Sequence, residues 1–137
     1  MRLFFDLNVV LDVLARREPW FEQSAAVLSL VDKTAVEGYV AAHSVTTLNY
    51  LLSKYHGRER TPAALIDLLG FVRAVNVDHD RLLEALALGW SDFEDAVQAV
   101  CALGISADYL ITRDPKGFPA LSIPVVTPSE LLAILPE

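Results

Sequence analysis

Short apolar segments of strand type alternate with helical segments along this chain of 137 residues. Strands joined by helices form parallel sheets, because a parallel pair needs a long crossover and right-handed crossovers cover both faces of the sheet with helices. The sequence therefore predicts one α/β domain over residues 1–137, a Rossmann-like three-layer α/β/α fold with a central, mainly parallel sheet. About five strands are expected, in the segments LFF (3–5), EGYVAA (37–42), VRAVNV (72–77), DYLIT (108–112) and IPVV (123–126).

Capping residues predict where the helices begin. Side-chain caps are expected at Asn8, Ser44, Asp78 and Thr127, and a capping box of the form S-x-x-E is expected at Ser91. The predicted helices span residues 8–15, 20–35, 44–55, 62–71, 80–88, 92–103 and 129–135.

The composition narrows the classes of function. A net charge of −7 argues against a protein that coats nucleic acid with a broad basic surface, but it leaves room for a nuclease with a local acidic site filled by metal. No apolar stretch approaches the roughly 18 residues of a membrane span, and the first residues lack the features of a signal peptide. We therefore expect no membrane association and a cytoplasmic location. The single cysteine, Cys101, stands among apolar residues and is interpreted as a core thiol.

Acidic residues stand where ligands bind in such sheets, beyond the carboxyl ends of the strands. Asp6 ends the first strand, Asp114 follows the fourth, and Asp92 and Asp95 share one face at the start of the sixth helix. A buried carboxylate needs compensation, and unneutralised acids that converge would repel one another. Mg²⁺ or Mn²⁺ would relieve this repulsion because hard cations take oxygen ligands, and a water on such a metal suits phosphodiester cleavage.

Each acid also has a purely structural explanation. Asp6 can cap the helix that follows it, and the segment DPKG from Asp114 has the pattern of a type I turn. Asp92 and Asp95 lie in a first helical turn, where the macrodipole favours acids. These explanations leave the convergence of the acids at one edge of the sheet unexplained.

Three motifs together resemble the PIN domain, the fold of VapC-type toxins. They are Asp6-x-Asn8 at the end of the first strand, SDFEDAVQ at the start of a late helix, and TRDPKGF after the following strand. The resemblance covers nearly the whole chain and implies a magnesium- or manganese-dependent ribonuclease that acts on RNA, with an antitoxin protein as the partner of a toxin. The implied site consists of the catalytic, metal-binding acids Asp6, Asp95 and Asp114, with Asp92 as a supporting metal-binding acid, and Asn8 and Thr112 as hydrogen-bonding orienters of the carboxylates.

The chain departs from the resembled family at three places. Leu7 stands where the family usually has threonine or serine, and Asn49 and Tyr50 stand where a glutamate is common. Gly117 stands where an acid often precedes the phenylalanine of the last motif. A missing ligand at positions 49 and 50 favours a site with one firmly bound metal ion.

Residues outside these motifs receive separate interpretations. Arg113 neighbours Asp114 and is expected to hold a phosphate that enters the site. Asp12 and Arg16 are four residues apart on the first helix, which favours a surface ion pair. Trp20 and Tyr50 are interpreted as packing residues rather than base-stacking platforms.

Two alternative functions compete with the ribonuclease. The same fold with weakened catalysis would bind RNA or a protein partner. The segment DLNVV also resembles the first motif of haloacid-dehalogenase-like phosphatases, in which a strand-end aspartate is the nucleophile, although the later lysine and paired acids of that family have no match here. The apolar composition also makes a homodimer a reasonable expectation.

Overall fold

The sheet has five parallel strands in the part of the chain that the computed structural model describes, residues 1–135. Every pair of neighbouring strands is parallel, and the order is β3-β2-β1-β4-β5. The predicted three-layer α/β fold is confirmed; residues 136 and 137 of the predicted domain lie outside the described part. The strands are β1 (Arg2–Phe5), β2 (Glu37–Ala41), β3 (Val72–Val75), β4 (Tyr109–Ile111) and β5 (Val125–Val126).

Seven α-helices connect and cover these strands within residues 1–135. None of them has the length and apolar character needed to cross a bilayer. The helices are α1 (Leu7–Leu14), α2 (Phe21–Lys33), α3 (Ala42–His56), α4 (Thr61–Leu69), α5 (His79–Ala87), α6 (Phe93–Gly104) and α7 (Pro128–Ile134).

Helix caps that depend on local sequence alone are confirmed. The side chain of Asp78 accepts a hydrogen bond from the Arg81 amide at the start of α5. Thr127 and Glu130 form the reciprocal capping box of α7. Each pattern places a side-chain acceptor three residues before a free helical N–H.

Three other predicted caps are wrong. Helix α1 begins at Leu7 and α3 at Ala42, so Asn8 and Ser44 lie inside helices. Both helices follow their strands without a loop, and the amide of the residue after β1 still bonds across the sheet to β4. At α6 the cap is Asp92, whose carboxylate accepts from an amide three residues on, instead of Ser91.

The central strand β1 contacts both helical layers. Leu3 and Phe5 pack against the layer that contains α1, α2 and α3, whereas Phe4 packs against α6 on the opposite face. All three side chains are fully buried, and each contributes roughly 1.5–3 kcal/mol of hydrophobic stabilisation. Because side chains alternate along a strand, the next residue, Asp6, lies on the face of α6. Cys101 is also buried there as predicted, and burial raises the pKa of its thiol to about 11.

Candidate active site

The carboxyl end of β1 delivers Asp6 into a buried polar pocket. Its side chain is 5% exposed, and its two oxygens have different partners. Oδ1 accepts a hydrogen bond of 3.0 Å from Gln98 Nε2, and Oδ2 accepts one of 2.8 Å from Thr112 Oγ1. Asp6 occupies the N-cap position of α1, and the backbone amide of Asn8 helps to lower its pKa against the larger effect of burial. The hydrogen bonds from Gln98 and Thr112, however, come from outside α1, so capping alone does not explain this residue.

Gln98 on α6 connects the backbone of α1 to two of the predicted acids. Its Oε1 accepts from the Leu7 amide at 2.9 Å, which leaves the Nε2 amino group directed at carboxylates. That group donates to Asp6 and, at 3.4 Å, to Oδ1 of Asp95. The side chain is fully buried, so the amide orientation is fixed by these partners.

Sequence reasoning missed Gln98, although it belongs to the quoted motif SDFEDAVQ. Two signals were present. Gln98 follows Asp95 by three residues, which places both side chains on one helix face. It is also the one polar residue in the otherwise apolar segment AVQAVCAL.

Asp95 and Asp114 approach each other across Gly117. A Cβ atom built on Gly117 would lie 3.4 Å from Oδ2 of Asp95 and 3.7 Å from Oδ2 of Asp114, so both carboxylates border one small gap. The turn predicted at DPKG is present, because the Gly117 amide bonds to the carbonyl of Asp114 at 3.0 Å. That turn uses the backbone of Asp114 and leaves its carboxylate free for another role.

Thr112 links the acids of two elements. Its hydroxyl donates to Asp6 and accepts from the Asp114 amide at 3.2 Å. The hydrogen bond that the resemblance implied for Thr112 is therefore present in the structure.

The pKa values of the acids reflect crowding and burial. The pKa of Asp95 is raised to about 7, first by burial and then by the negative charges of Asp6, Asp92, Glu94 and Asp114. Burial also raises the pKa of Asp6, against the opposing effect of its hydrogen bonds from Gln98 and Thr112. Asp95 is therefore close enough to these four carboxylates to be repelled by their negative charges.

The donor set suits a hard divalent cation, because Mg²⁺ and Mn²⁺ take carboxylate oxygens and accept water for their remaining positions. Within residues 1–135, however, no three acidic, histidine or cysteine side chains are gathered closely enough to form a ready-made metal-binding group. Asp6 is held by its partners, whereas Asp114 is exposed and its carboxylate makes no hydrogen bond within the same residues. Among Asp6, Asp95 and Asp114, the carboxylate of Asp114 is therefore the least restrained.

Asn8 does not orient the acids through its side chain, contrary to the role implied for it. Its Oδ1 accepts from Arg17 Nη2 at 3.4 Å on the exposed side of α1. The reason is the early start of α1, which turns the second helical residue away from the sheet edge.

Asn49 and Tyr50, which stand where a glutamate is common in the resembled family, are exposed on α3. Tyr50 is 64% exposed, with Nζ of Lys54 lying 4.5 Å from its ring centroid, so the predicted packing role is wrong. Asn49 and Tyr50 border a surface cavity together with Ser53, Lys54 and Arg58, and none of the predicted acids borders it.

Asp12 is a fully buried charge instead of the surface partner predicted for Arg16. Its carboxylate lies 2.8 Å from Nε of Arg17 and 2.8 Å from Nε of Arg113. Helix α1 ends at Leu14, so the helical four-residue spacing to Arg16 does not apply, and the chain turns back to place Arg17 against Asp12. Burial raises the pKa of Asp12, and the two arginines oppose that rise.

We expect the metal-free protein to unfold at a lower temperature at about pH 8 than at about pH 5.5. The carboxyl of Asp95 binds its proton more tightly in the folded state, because its pKa is raised from the ordinary 3.8 to about 7. Its contribution to stability is therefore complete below pH 3.8 and is lost as the pH rises to about 7. Asp95→Asn should reduce this pH dependence, whereas Asp32→Asn, at an exposed position of α2, should keep it. Thermal melts in EDTA measure the difference, and an unchanged pH dependence in Asp95→Asn would contradict it.

The sequence profile of a family described as the PIN domain matches residues 2–116. Among curated proteins, no sequence matches this chain.

Several solved structures share the fold. A toxin-antitoxin complex from Klebsiella pneumoniae aligns with a TM-score of 0.69 at 22% identity, over 92% of this chain and 97% of that one. VapBC2 from Rickettsia felis, bound to a DNA fragment from its promoter, aligns with a TM-score of 0.68 at 14% identity, over 93% and 98%. Mycobacterium tuberculosis VapC20, a Sarcin-Ricin loop cleaving toxin, aligns with a TM-score of 0.68 at 16% identity, over 84% and 92%. At these identities the likeness concerns the fold alone.

Proposed function

The chain belongs to the PIN domain family, and from this premise we propose that it is a ribonuclease that hydrolyses RNA phosphodiesters with Mg²⁺ or Mn²⁺. Asp6, Asp95 and Asp114 are the proposed metal-binding catalytic acids, and Asp92 supports them while it caps α6. The observation that carries the proposal is the buried carboxylate of Asp6, oriented by Gln98 and Thr112 beside a second acid whose pKa is raised.

Several residues of this chain position the acids. Thr112 and Gln98 hold the two oxygens of Asp6, so its carboxylate is already oriented. Metal binding would therefore cost little further side-chain entropy at Asp6. Gln98 also restrains Asp95, and the turn at Gly117 brings Asp114 to the same gap. When bound, the cation supplies an acidified water and stabilises charge on the leaving oxygen.

An antitoxin protein is the proposed partner. Support comes from the Rickettsia felis and Klebsiella pneumoniae structures of similar fold, which are toxin-antitoxin assemblies. The homodimer and the cytoplasmic location stay predictions.

The test is a cleavage assay on single-stranded and structured RNAs with Mn²⁺, with EDTA, and with Mn²⁺ restored in excess. We expect products in the first and third conditions only. RNA binding without cleavage would favour the catalytically weakened domain. Hydrolysis of p-nitrophenyl phosphate without RNA cleavage would favour the phosphatase, although Lys116 lies in a turn after the acids.

Gly117→Asp should raise the affinity for Mn²⁺ severalfold, because its side chain would start between the carboxylates of Asp95 and Asp114 at ordinary contact distances. The same change should lower the melting temperature in EDTA, since a further negative charge joins the group. Isothermal titration calorimetry measures the affinity. Gly117→Ala, which adds the Cβ atom without the charge, is the matched control, and an equal gain in both variants would contradict the electrostatic reason.

A further inference from the structure

A second concave site lies beside the acids, on the face of the sheet covered by α2 and α7. It has a volume of about 240 Å³, far above the roughly 30 Å³ that one water molecule occupies. Trp20 at the N-cap of α2, Ser24 in α2, Arg113 after β4 and Ser129 in α7 border it. The acids of the proposed active site do not border it, so it is a separate cavity.

Arg113 brings a cation to this cavity in a fixed position. Its guanidinium carbon lies 3.8 Å from the centroid of the Trp20 ring, and its Nε lies 2.8 Å from the buried carboxylate of Asp12. The contact with Asp12 is an ion pair without an aligned hydrogen bond. The two terminal amino groups of Arg113 make no hydrogen bond within residues 1–135, so they are available to an anion.

The ion-paired group itself has an excess of positive charge. Asp12 supplies one negative charge, while Arg17 and Arg113 supply two positive charges, so these three side chains together carry +1. The whole chain carries −7, so a cationic position of this kind influences where a polyanion can approach.

Ser24 provides a second, independent observation that points to a polar ligand. The residue is fully buried, and within residues 1–135 its hydroxyl has no hydrogen-bond partner. Buried hydroxyl groups are normally paired, because an unpaired one costs about 1–3 kcal/mol. A ligand oxygen in the cavity would supply that partner.

The cavity and the acids lie on opposite sides of one short segment. Thr112 bonds to Asp6, Asp114 borders the gap at Gly117, and Arg113 between them points to the other side. The charge of Arg113 is close enough to Asp6 to lower its pKa against the larger effect of burial. Arg113 therefore borders the cavity and also acts electrostatically on the acids of the proposed active site.

We propose that the cavity of Trp20, Ser24 and Arg113 binds a phosphate of the RNA strand next to the phosphodiester that is cleaved. The planar guanidinium of Arg113 presents its terminal amino groups in the geometry that suits phosphate oxygens, and Ser24 donates to a further oxygen. This inference rests on the proposed ribonuclease function.

The test uses the fluorescence of Trp20 in full-length protein with Trp90→Phe, which removes the other tryptophan. The probe is the dinucleotide ApA in EDTA, compared with its analogue that has an uncharged methylphosphonate linkage. We expect ApA to change the emission and to bind about tenfold more tightly than the analogue, a difference of about 1.4 kcal/mol. Equal binding of both dinucleotides would overturn the proposal.

Three variants test the assignment. Arg113→Lys keeps a charge beside Asp12 but loses the planar guanidinium, so the preference for ApA over its analogue should fall severalfold. Ser24→Ala, as a separate variant, should also reduce this preference. Arg58→Gln in the other surface cavity is the control and should keep it. An acetylated glutamate peptide that competes better than ApA would overturn the proposal in favour of a protein partner.

The cleavage assay separates this inference from the function on which it rests. Arg113→Lys should raise KM severalfold with kcat nearly unchanged, because the cavity contacts a phosphate away from the reacting atoms. An unchanged KM in an active enzyme would overturn the phosphate site alone. Absence of cleavage by the wild type, with ApA still bound in preference to its analogue, would overturn the ribonuclease and leave an RNA-binding domain with this phosphate site.

Discussion

Asp6→Asn should lower metal-dependent RNA cleavage on the order of 10²–10³-fold, a loss similar to that of removing one preorganised electrostatic group from an active site. The substitution keeps the shape of the side chain and one oxygen but removes the charge that attracts the cation. In the structure this oxygen can remain toward Gln98 Nε2, while the new amino group faces Thr112, whose hydroxyl can turn to accept. The assay with Mn²⁺ and EDTA measures the loss.

The fold of Asp6→Asn should persist. Burial disfavours the charged form of Asp6, so removal of this charge should leave the melting temperature in EDTA unchanged or raise it. Circular dichroism and thermal melts of metal-free protein provide the control. Cleavage that survives both EDTA and Asp6→Asn would indicate a contaminant or another site, and a marked loss of metal-free stability would restore the helix-cap explanation, which is worth about 1 kcal/mol.

Gln98→Glu should destabilise the metal-free protein by roughly 3 kcal/mol at about pH 8, within the range for a buried charge left without a partner. The introduced carboxylate can still accept from the Leu7 amide, but its other oxygen faces the carboxylate of Asp6 where an amino group had donated. The variant should regain stability toward about pH 5.5, because burial raises the pKa of the introduced carboxyl and its protonated form can donate.

Gln98→Leu separates the charge effect from the loss of hydrogen bonds. It leaves the Leu7 amide unpaired, so we expect a loss of about 1–3 kcal/mol that is similar at both pH values. Urea unfolding of both variants and the wild type at about pH 5.5 and about pH 8 measures the difference. If Gln98→Glu were equally stable at both pH values, a direct contact between the introduced carboxyl group and Asp6 would be disproved.

Much of the site was predictable because strand ends and helix starts are visible in the sequence. Asp6 follows an apolar strand, Asp95 lies in a first helical turn, and Asp114 follows another strand, and parallel strands bring their carboxyl ends to one edge. The role expected for the Asn8 side chain was wrong because the N-cap position of α1 is Asp6, two residues before the predicted cap. Positions 49 and 50, where the family commonly has a glutamate, were identified from the resemblance alone. The resemblance did not predict that both residues are exposed on α3.

The sequence by itself determined the alternation of strands and helices and the locally capped helices at Asp78 and Thr127, because apolar periodicity and caps act between near neighbours in the chain. Only the tertiary structure decided which polar groups compensate the buried acids. Gln98 meets Asp6 across 92 residues and Thr112 meets it across 106, while Asp12 finds Arg113 rather than Arg16. A buried charge is stabilised by whichever donors the packed helices and strands bring to it, and such partners are set by distance in space rather than by spacing in the sequence.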